Sequence, residues 1–306
     1  MRYSDIHTIK SCILGLAVAD ALGVPVEFLS REARDADPVT GMRAYGTHHQ
    51  PAGTWSDDTS MTLCALDALA QPEFSWDAVM ENFVRWYRDA EFTATGELFD
   101  IGISCRQAID NYSRRHLKAL ECGGAGERDN GNGSLMRILP FILYAPEDLG
   151  FIEDASDLTH AHRRSEMACG VYALLLAGIL EHGRDGIPAA LKKAETIYGS
   201  EDEWSHYAPL LTIETRSRDS ISSGGYVVET LEAALWCLLT TENYRDCALK
   251  AVNLGRDTDT VAAVAGGLAG ALYGLEDIPT EWLDTLLRRD YIEELCEKAA
   301  QRWAEE

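Results

Sequence analysis

The sequence predicts an all-α protein folded as one domain spanning residues 1–306, and three observations carry that expectation. Apolar residues recur at three- and four-residue spacing along most of the chain. No alternating Val/Ile/Thr run bounded by hairpin turns appears. No low-complexity linker and no repeat of fixed period divides the chain.

The expected elements can be taken in order. Ile6–Leu22 opens the chain as a helix carrying the small residues Gly15, Ala17, Ala19 and Ala21. Helical periodicity returns over Met61–Leu69, Trp76–Arg88, Ile101–Leu120 and Met167–Glu181, then Val227–Leu239, Tyr244–Leu254, Val261–Leu272 and Tyr291–Trp303. The run Val261–Tyr273 contains Gly266, Gly267 and Gly270, which disfavour an isolated helix. Small residues permit close backbone approach, so this run is expected to be the central helix, with Ile6–Leu22 as its neighbour.

Two acidic clusters about 200 residues apart, as the numbering shows, stand at the heads of helices. Ser56-Asp57-Asp58-Thr59 precedes the run from Ser60, and Asp257-Thr258-Asp259-Thr260 precedes Val261. Each is an ordinary capping pattern by itself. Together they hold more carboxylates than capping needs, and buried carboxylates repel one another unless a cation neutralises them. Oxygen-only donors suit Mg2+, Mn2+ or Ca2+. The expectation is a metal site built from Ser56, Asp57, Asp58, Asp257, Asp259 and Thr260, with Thr59 starting its helix. The exit of the first helix, Gly23 to Glu27, would bring Glu27 toward these loops; a solvated acid is the plainer reading.

The Gly-rich segment Glu121–Ser134 can turn backbone N–H groups toward an anion before a helix that begins at Ser134 or Leu135. It lacks the preceding strand of a dinucleotide fingerprint and the Gly-Lys-Ser/Thr of a Walker loop. Asp100 reads as the cap of Ile101–Leu120, His160 as a residue before the next helix, and Tyr226 as a half-buried aromatic after a turn.

The ordered set of motifs resembles the ADP-ribosylglycohydrolase family. The likeness runs from Ile13 to about Tyr273, and its core is the pair of acidic clusters. It includes Gly15–Glu27, Phe99-Asp100-Ile101-Gly102, Asn130–Arg137, Thr159-His160 and Ser223–Leu231. The resemblance implies a single orthogonal helical bundle with a binuclear metal site holding two Mg2+, with Mn2+ as an alternative. It also implies that Asn130, Gly131, Asn132, Gly133 and Ser134 meet the diphosphate and distal ribose. His160 and Tyr226 would face the nucleotide, and Asp100 would lie near the metals. Glu27 or Asp100 would manage protons during cleavage at the anomeric carbon.

The implied activity is hydrolysis of an ADP-ribosylated protein or other ADP-ribose conjugate, most readily an arginine linkage. Serine linkage, a small-molecule conjugate and a catalytically silent ADP-ribose binder are the alternatives. Acids in the stretches Arg31–Pro51 and Gly199–Ser222 (Glu32, Asp35, Asp37, Glu201, Asp202, Glu203 and Asp219) tilt the reading toward a cationic acceptor.

Composition narrows the classes. Hydrophobic content of 46% with 25% charged residues belongs to a globular chain. A formal net charge of −23 disfavours a nucleic-acid partner, because that surface repels a polyanion. The eight cysteines include no C-x-x-C pair, and Cys12, Cys64, Cys169 and Cys237 lie inside apolar runs, as small hydrophobes do. No unbroken apolar run approaches the ~18 residues of a membrane span, and Met1–Ser11 lacks a leader pattern. The expectations are no membrane and a cytoplasmic location.

Overall fold

A computed structural model describes residues 3–305. These residues form fourteen α-helices joined by loops and short 3-10 turns, with three isolated β-bridges and no longer strand among them. The helices are α1 (Ile6–Gly23), α2 (Arg31–Ala36), α3 (Asp57–Leu69), α4 (Trp76–Asp89), α5 (Ile103–Arg115), α6 (Leu139–Tyr144) and α7 (Leu149–Asp157). They continue as α8 (Arg163–His182), α9 (Gly186–Tyr198), α10 (Val227–Leu239), α11 (Tyr244–Val252), α12 (Thr258–Tyr273), α13 (Thr280–Thr285) and α14 (Arg289–Ala304).

The centre is the pair α1 and α12, as glycine placement predicts. A Cβ on Gly15 would lie 2.5 Å from the Gly266 carbonyl oxygen, and one on Gly270 would lie 2.0 Å from that of Ser11. The two backbones therefore touch, and every residue of α12 from Thr258 to Gly270 is buried. Helices α3, α8, α10, α11 and α14 pack around the pair. Tyr244 and Tyr172 donate to the Gly15 and Val264 carbonyls at 2.5 and 3.1 Å, satisfying their own hydroxyls inside this core. All eight cysteines are buried and free.

The contact of α1 with α12 also orients the site. At the last turn of α1, a Cβ on Gly23 would lie 2.4 Å from the Asp259 Cα, and Thr258 Oγ1 donates to the Gly23 carbonyl at 2.8 Å. The exit of α1 is thus docked on the acidic head of α12.

Three expectations need correction. The helix expected at Ile101–Leu120 is α5, Ile103–Arg115; His116 closes it in the left-handed conformation, and a separate 3-10 turn covers Ala119–Glu121. Five helices went unforeseen: the short α2, α6, α7 and α13, and the 13-residue α9. In α9 the pair Gly186 and Pro188 reads as a breaker, yet both sit in its first turn, where proline costs little. Finally, Ile6–Val26 is long and apolar enough to cross a membrane by length and composition. Counting unbroken apolar runs hid this, because Lys10 and Asp20 interrupt the stretch. In the fold 94% of that window is buried in protein, as for a core helix.

Candidate active site

The acidic heads of α3 and α12 meet at the end of α1. Ser56 caps α3: its hydroxyl accepts from Asp58 N at 3.3 Å and donates to Asp58 Oδ2 at 3.0 Å. Thr260 Oγ1, from the first turn of α12, reaches the same Asp58 Oδ2 at 3.3 Å. Asp257 precedes α12 and accepts from Asn132 Nδ2 at 2.9 Å, which ties the acidic loops to the Gly-rich segment.

Asp20, which sequence reasoning passed over, holds the α3 turn in place. Its carboxylate accepts from the backbone N–H groups of Ser56 and Thr59 and from the Thr59 hydroxyl, at 2.6–3.1 Å. The signal was present as a lone acid inside an apolar helix, and such an acid is buried only when satisfied. Burial raises its pKa to about 6, against the lowering effect of those hydrogen bonds.

The remaining carboxylates are poorly satisfied. Oxygens of Asp20, Asp58 and Asp259 lie within 4.8 Å of one another, as do those of Glu27, Asp257 and Asp259. Asp58 Oδ1 and Asp259 Oδ2 are buried with no hydrogen-bond partner. Burial first, and neighbouring carboxylates second, push Asp57, Asp58 and Asp259 well above the usual carboxylate range; burial also raises Asp257. Two orphaned oxygens in a crowded oxygen-only donor set have the chemistry of a hard-cation site. Ser56 is the least available of the six expected ligands, since its hydroxyl is already bonded to Asp58.

Glu27 follows the 3-10 turn Val24–Val26 and is buried beside this cluster. Thr47 Oγ1 donates to its carbonyl at 2.7 Å, and His48 Nε2 lies 2.5 Å from its Oε2. Burial, then Asp100, Asp257 and Asp58, raise the Glu27 pKa, so it favours the protonated form. His48 is a second residue the sequence did not announce; it ends the short 3-10 turn Gly46–His48, which carries no motif of its own. Asp100 is not the α5 cap that was expected. Its φ of 50° is left-handed, whereas caps are extended, and Gly102 occupies the cap position. Asp100 instead lines the cavity, half-buried.

That cavity measures about 420 Å³, and its lining includes the acidic and hydroxyl residues Glu27, Asp57, Asp100, Asp257 and Thr260 together with Gly131, Asn132, Gly133 and His160. Asp58, Asp259 and Ser56 are buried and do not line it. His160 donates to or accepts from Thr159 Oγ1 through Nδ1 at 2.7 Å, and burial with Arg137 nearby pushes its pKa down to about 3. The ring packs on the glycine loop: a Cβ on Gly133 would lie 2.8 Å from His160 Cε1 and 2.7 Å from Cys105 Sγ.

Only part of the Gly-rich segment faces the cavity. The N–H groups of Gly123, Gly124 and Gly126 are spent on Asp157 O, Thr159 O and Asp129 Oδ2. Two bridges, Gly124 to His160 and Gly131 to Tyr226, fix the segment between its neighbours. The turn after it is a 3-10 helix, Leu135–Arg137. Asn130 bonds Glu127 O and Ser165 Oγ, and Ser134 is fully buried against Cys169. Tyr226 lines an adjoining depression that shares Gly131 and Gly225 with the cavity. The three residues Asn130, Ser134 and Tyr226 therefore stand outside the cavity wall.

The acids expected to meet a cationic acceptor are mostly neutralised by the chain itself. Asp35 pairs with Arg218 at 2.7 Å, Asp37 with Arg43 at 2.6 Å, Glu201 with Arg163 at 2.6 Å and Glu203 with Arg164 at 2.7 Å. The sequence shows these arginines but not their pairing.

Helical architecture, paired acidic loops and the cavity between them define a class, and comparison with known proteins agrees. The family model for ADP-ribosylglycohydrolase matches residues 1–306. The ADP-ribosylarginine hydrolase of Pseudomonas putida is 35% identical, covering 96% of this chain and 78% of that protein. The ADP-ribosyl-[dinitrogen reductase] glycohydrolase of Rhodospirillum rubrum is 31% identical over 89% of this chain and 88% of its own length. A solved structure described as an ADP-ribosylglycohydrolase-related protein complex superposes with a TM-score of 0.82 at 32% identity, covering 97% of this chain and 98% of that one. The chain belongs to the ADP-ribosylglycohydrolase family, and it is an enzyme of the glycosidase class.

Proposed function

We propose that this enzyme hydrolyses the N-glycosidic bond joining ADP-ribose to an arginine side chain, with two Mg2+ held between the heads of α3 and α12. The observation that carries this reading is the crowding of buried carboxylates with orphaned oxygens beside a glycine-lined cavity. The arginine choice is supported by the name of the Pseudomonas putida relative, an ADP-ribosylarginine hydrolase. Asp57, Asp58, Asp257, Asp259 and Thr260 would hold the ions, with Ser56 supporting Asp58; the ions would orient the distal ribose hydroxyls and acidify water.

The chain's own groups have distinct tasks. Gly131 and Gly133 line the cavity and would turn their N–H groups to the diphosphate, and the neutral His160 beside them would offer a hydrogen bond without an added charge. Hydrolysis breaks the bond from the anomeric carbon to nitrogen and forms one to water oxygen, passing through an oxocarbenium-like state that nearby carboxylates stabilise. One proton from water ends on the departing guanidine. Glu27, buried and within hydrogen-bond distance of His48, supplies a proton at its carboxyl, and Asp100 at the cavity wall accepts one.

The test is release of ADP-ribose from arginine-modified and serine-modified peptides, each with Mg2+ and with chelator. Turnover of the arginine conjugate that chelator abolishes and Mg2+ restores is expected. Undiminished turnover in chelator would overturn the metal reading, and selective cleavage of the serine conjugate would overturn the acceptor.

A further inference from the structure

The cavity has a direction. At one end stand Gly131, Gly133 and His160; in the middle Asp257 bonds Asn132 on that side and lies within 4.8 Å of Glu27 on the other. Beyond Glu27 comes His48, whose ring centroid is 5.0 Å from that of Phe99 and 5.9 Å from that of Phe28. A substrate whose diphosphate occupied the glycine end and whose anomeric carbon sat at the carboxylates would direct its leaving group past Glu27 toward Phe28, which lines the cavity and packs against His48.

Two apolar side chains of the cavity lining are left in solvent. Phe28 is 66% exposed and Ile103 is 76% exposed, and both line the cavity. Phe28 also holds a φ of 64°, a left-handed conformation that is an outlier for a bulky residue. Reciprocal backbone bonds lock it there: Phe28 N donates to Arg256 O, and Arg256 N to Leu29 O, both at 2.6 Å. Arg256 is itself left-handed, at 67°, and directly precedes the metal-loop acid Asp257. Exposure and backbone strain both disfavour the free protein, and neither contributes to its core. Strained residues of this kind cluster at ligand-binding sites, and of the nine left-handed non-glycine residues among those described, Phe28 and Asp100 line this cavity.

We propose that Phe28, packed against His48, forms the acceptor subsite together with Ile103 of the same cavity lining, and that its occupant is the arginine side chain of the modified protein. This rests on the arginine reading above. A guanidinium is planar and cationic and stacks on aromatic faces, and its methylene stem matches an apolar lip. Asp100 on the same wall complements its charge. Four of the seven outer-loop acids, Asp35, Asp37, Glu201 and Glu203, are already paired with arginines of the chain and are less available to an acceptor.

The experiment is steady-state hydrolysis of an ADP-ribosyl-arginine peptide by wild type, Phe28→Gly, Phe28→Tyr and Ile103→Ser, with inhibition by free ADP-ribose measured alongside. Glycine removes the ring and relieves the left-handed strain, so Phe28→Gly keeps the fold. Its KM should rise by roughly threefold to thirtyfold, the range of a lost stacked cation. Ile103→Ser should raise KM in the same direction, and Phe28→Tyr should retain the wild-type value. The ADP-ribose inhibition constant should stay within about twofold, since that ligand lacks the acceptor. Unchanged KM in Phe28→Gly and Ile103→Ser overturns the subsite while leaving the arginine activity in place. An equal rise in the ADP-ribose constant overturns it too, by moving Phe28 to the nucleotide end. A wild type that does not cleave the arginine conjugate overturns both readings at once, and it is visible before any variant is made.

Discussion

Asp259→Asn is expected to make the metal-free protein more stable and to remove its response to Mg2+. Asp259 is wholly buried, and one of its oxygens has no partner. Oxygens of Asp259, Asp257 and Glu27 lie within 4.8 Å of one another, and those of Asp259, Asp58 and Asp20 form a second such group. Two unit charges at that separation repel by roughly 3.5 kcal/mol at an effective dielectric of 20. Protonation of the cluster relieves much of this, so the amide should gain about 1–3 kcal/mol rather than the sum of pairs. The amide keeps an oxygen for the bond from Thr260 N and gains donors toward its acidic neighbours. The pH dependence has a definite sign. Asp57, Asp58, Asp259 and Glu27 have native pKa values raised above their unfolded ones, so the native state binds more protons above the ordinary carboxylate range. Stability of the chelated protein therefore falls as pH rises through the raised values, and the slope should be shallower in Asp259→Asn. Mg2+ at a hundred times its dissociation constant adds about 2.7 kcal/mol to a form that binds it only when folded. At about 2 °C per kcal/mol for a chain of this size, that is a Tm rise of about 5 °C in wild type. Thermal melts of chelated protein at pH 5, 7 and 8, with and without Mg2+, read all of these effects. A chelated Asp259→Asn that melts below wild type at pH 8, or an equal Mg2+ shift in both, would refute the reasoning.

Two further outcomes are expected. Glu27→Gln keeps the shape of the side chain but removes its proton, so kcat should fall by roughly 10²–10⁴ while ADP-ribose affinity, measured by titration calorimetry, changes far less. Gly270→Ala places a methyl 2.0 Å from the Ser11 carbonyl oxygen. The gain in helix propensity, about 1 kcal/mol, should be outweighed by overpacking of two rigid backbones, giving a lower urea midpoint; an unchanged midpoint would mean α1 and α12 can separate.

Local pattern alone made the helical class and most long helices legible, because periodicity and capping depend on near neighbours. Val227–Leu239 was read with its observed bounds. The partnership of α1 with α12 was also readable, since several glycines in one apolar helix make sense only against another backbone. The acidic clusters were visible as an excess of oxygens over what two caps require.

Tertiary structure alone decided which residues meet. Asp20 became the anchor of the α3 turn because folding placed it within hydrogen-bond reach of Ser56 and Thr59, about 36 residues away by numbering. His48 reached Glu27 because its loop returns to the end of α1, a contact with no periodic signature. The loop acids that promised an acceptor site were claimed by arginines far off in sequence, as Asp35 was by Arg218. Asn130 and Ser134 turned inward while Gly131 and Gly133 stayed at the cavity. A sequence states which groups are available. Burial and distance, which set the energy of every charge and hydrogen bond, exist only once the helices have packed.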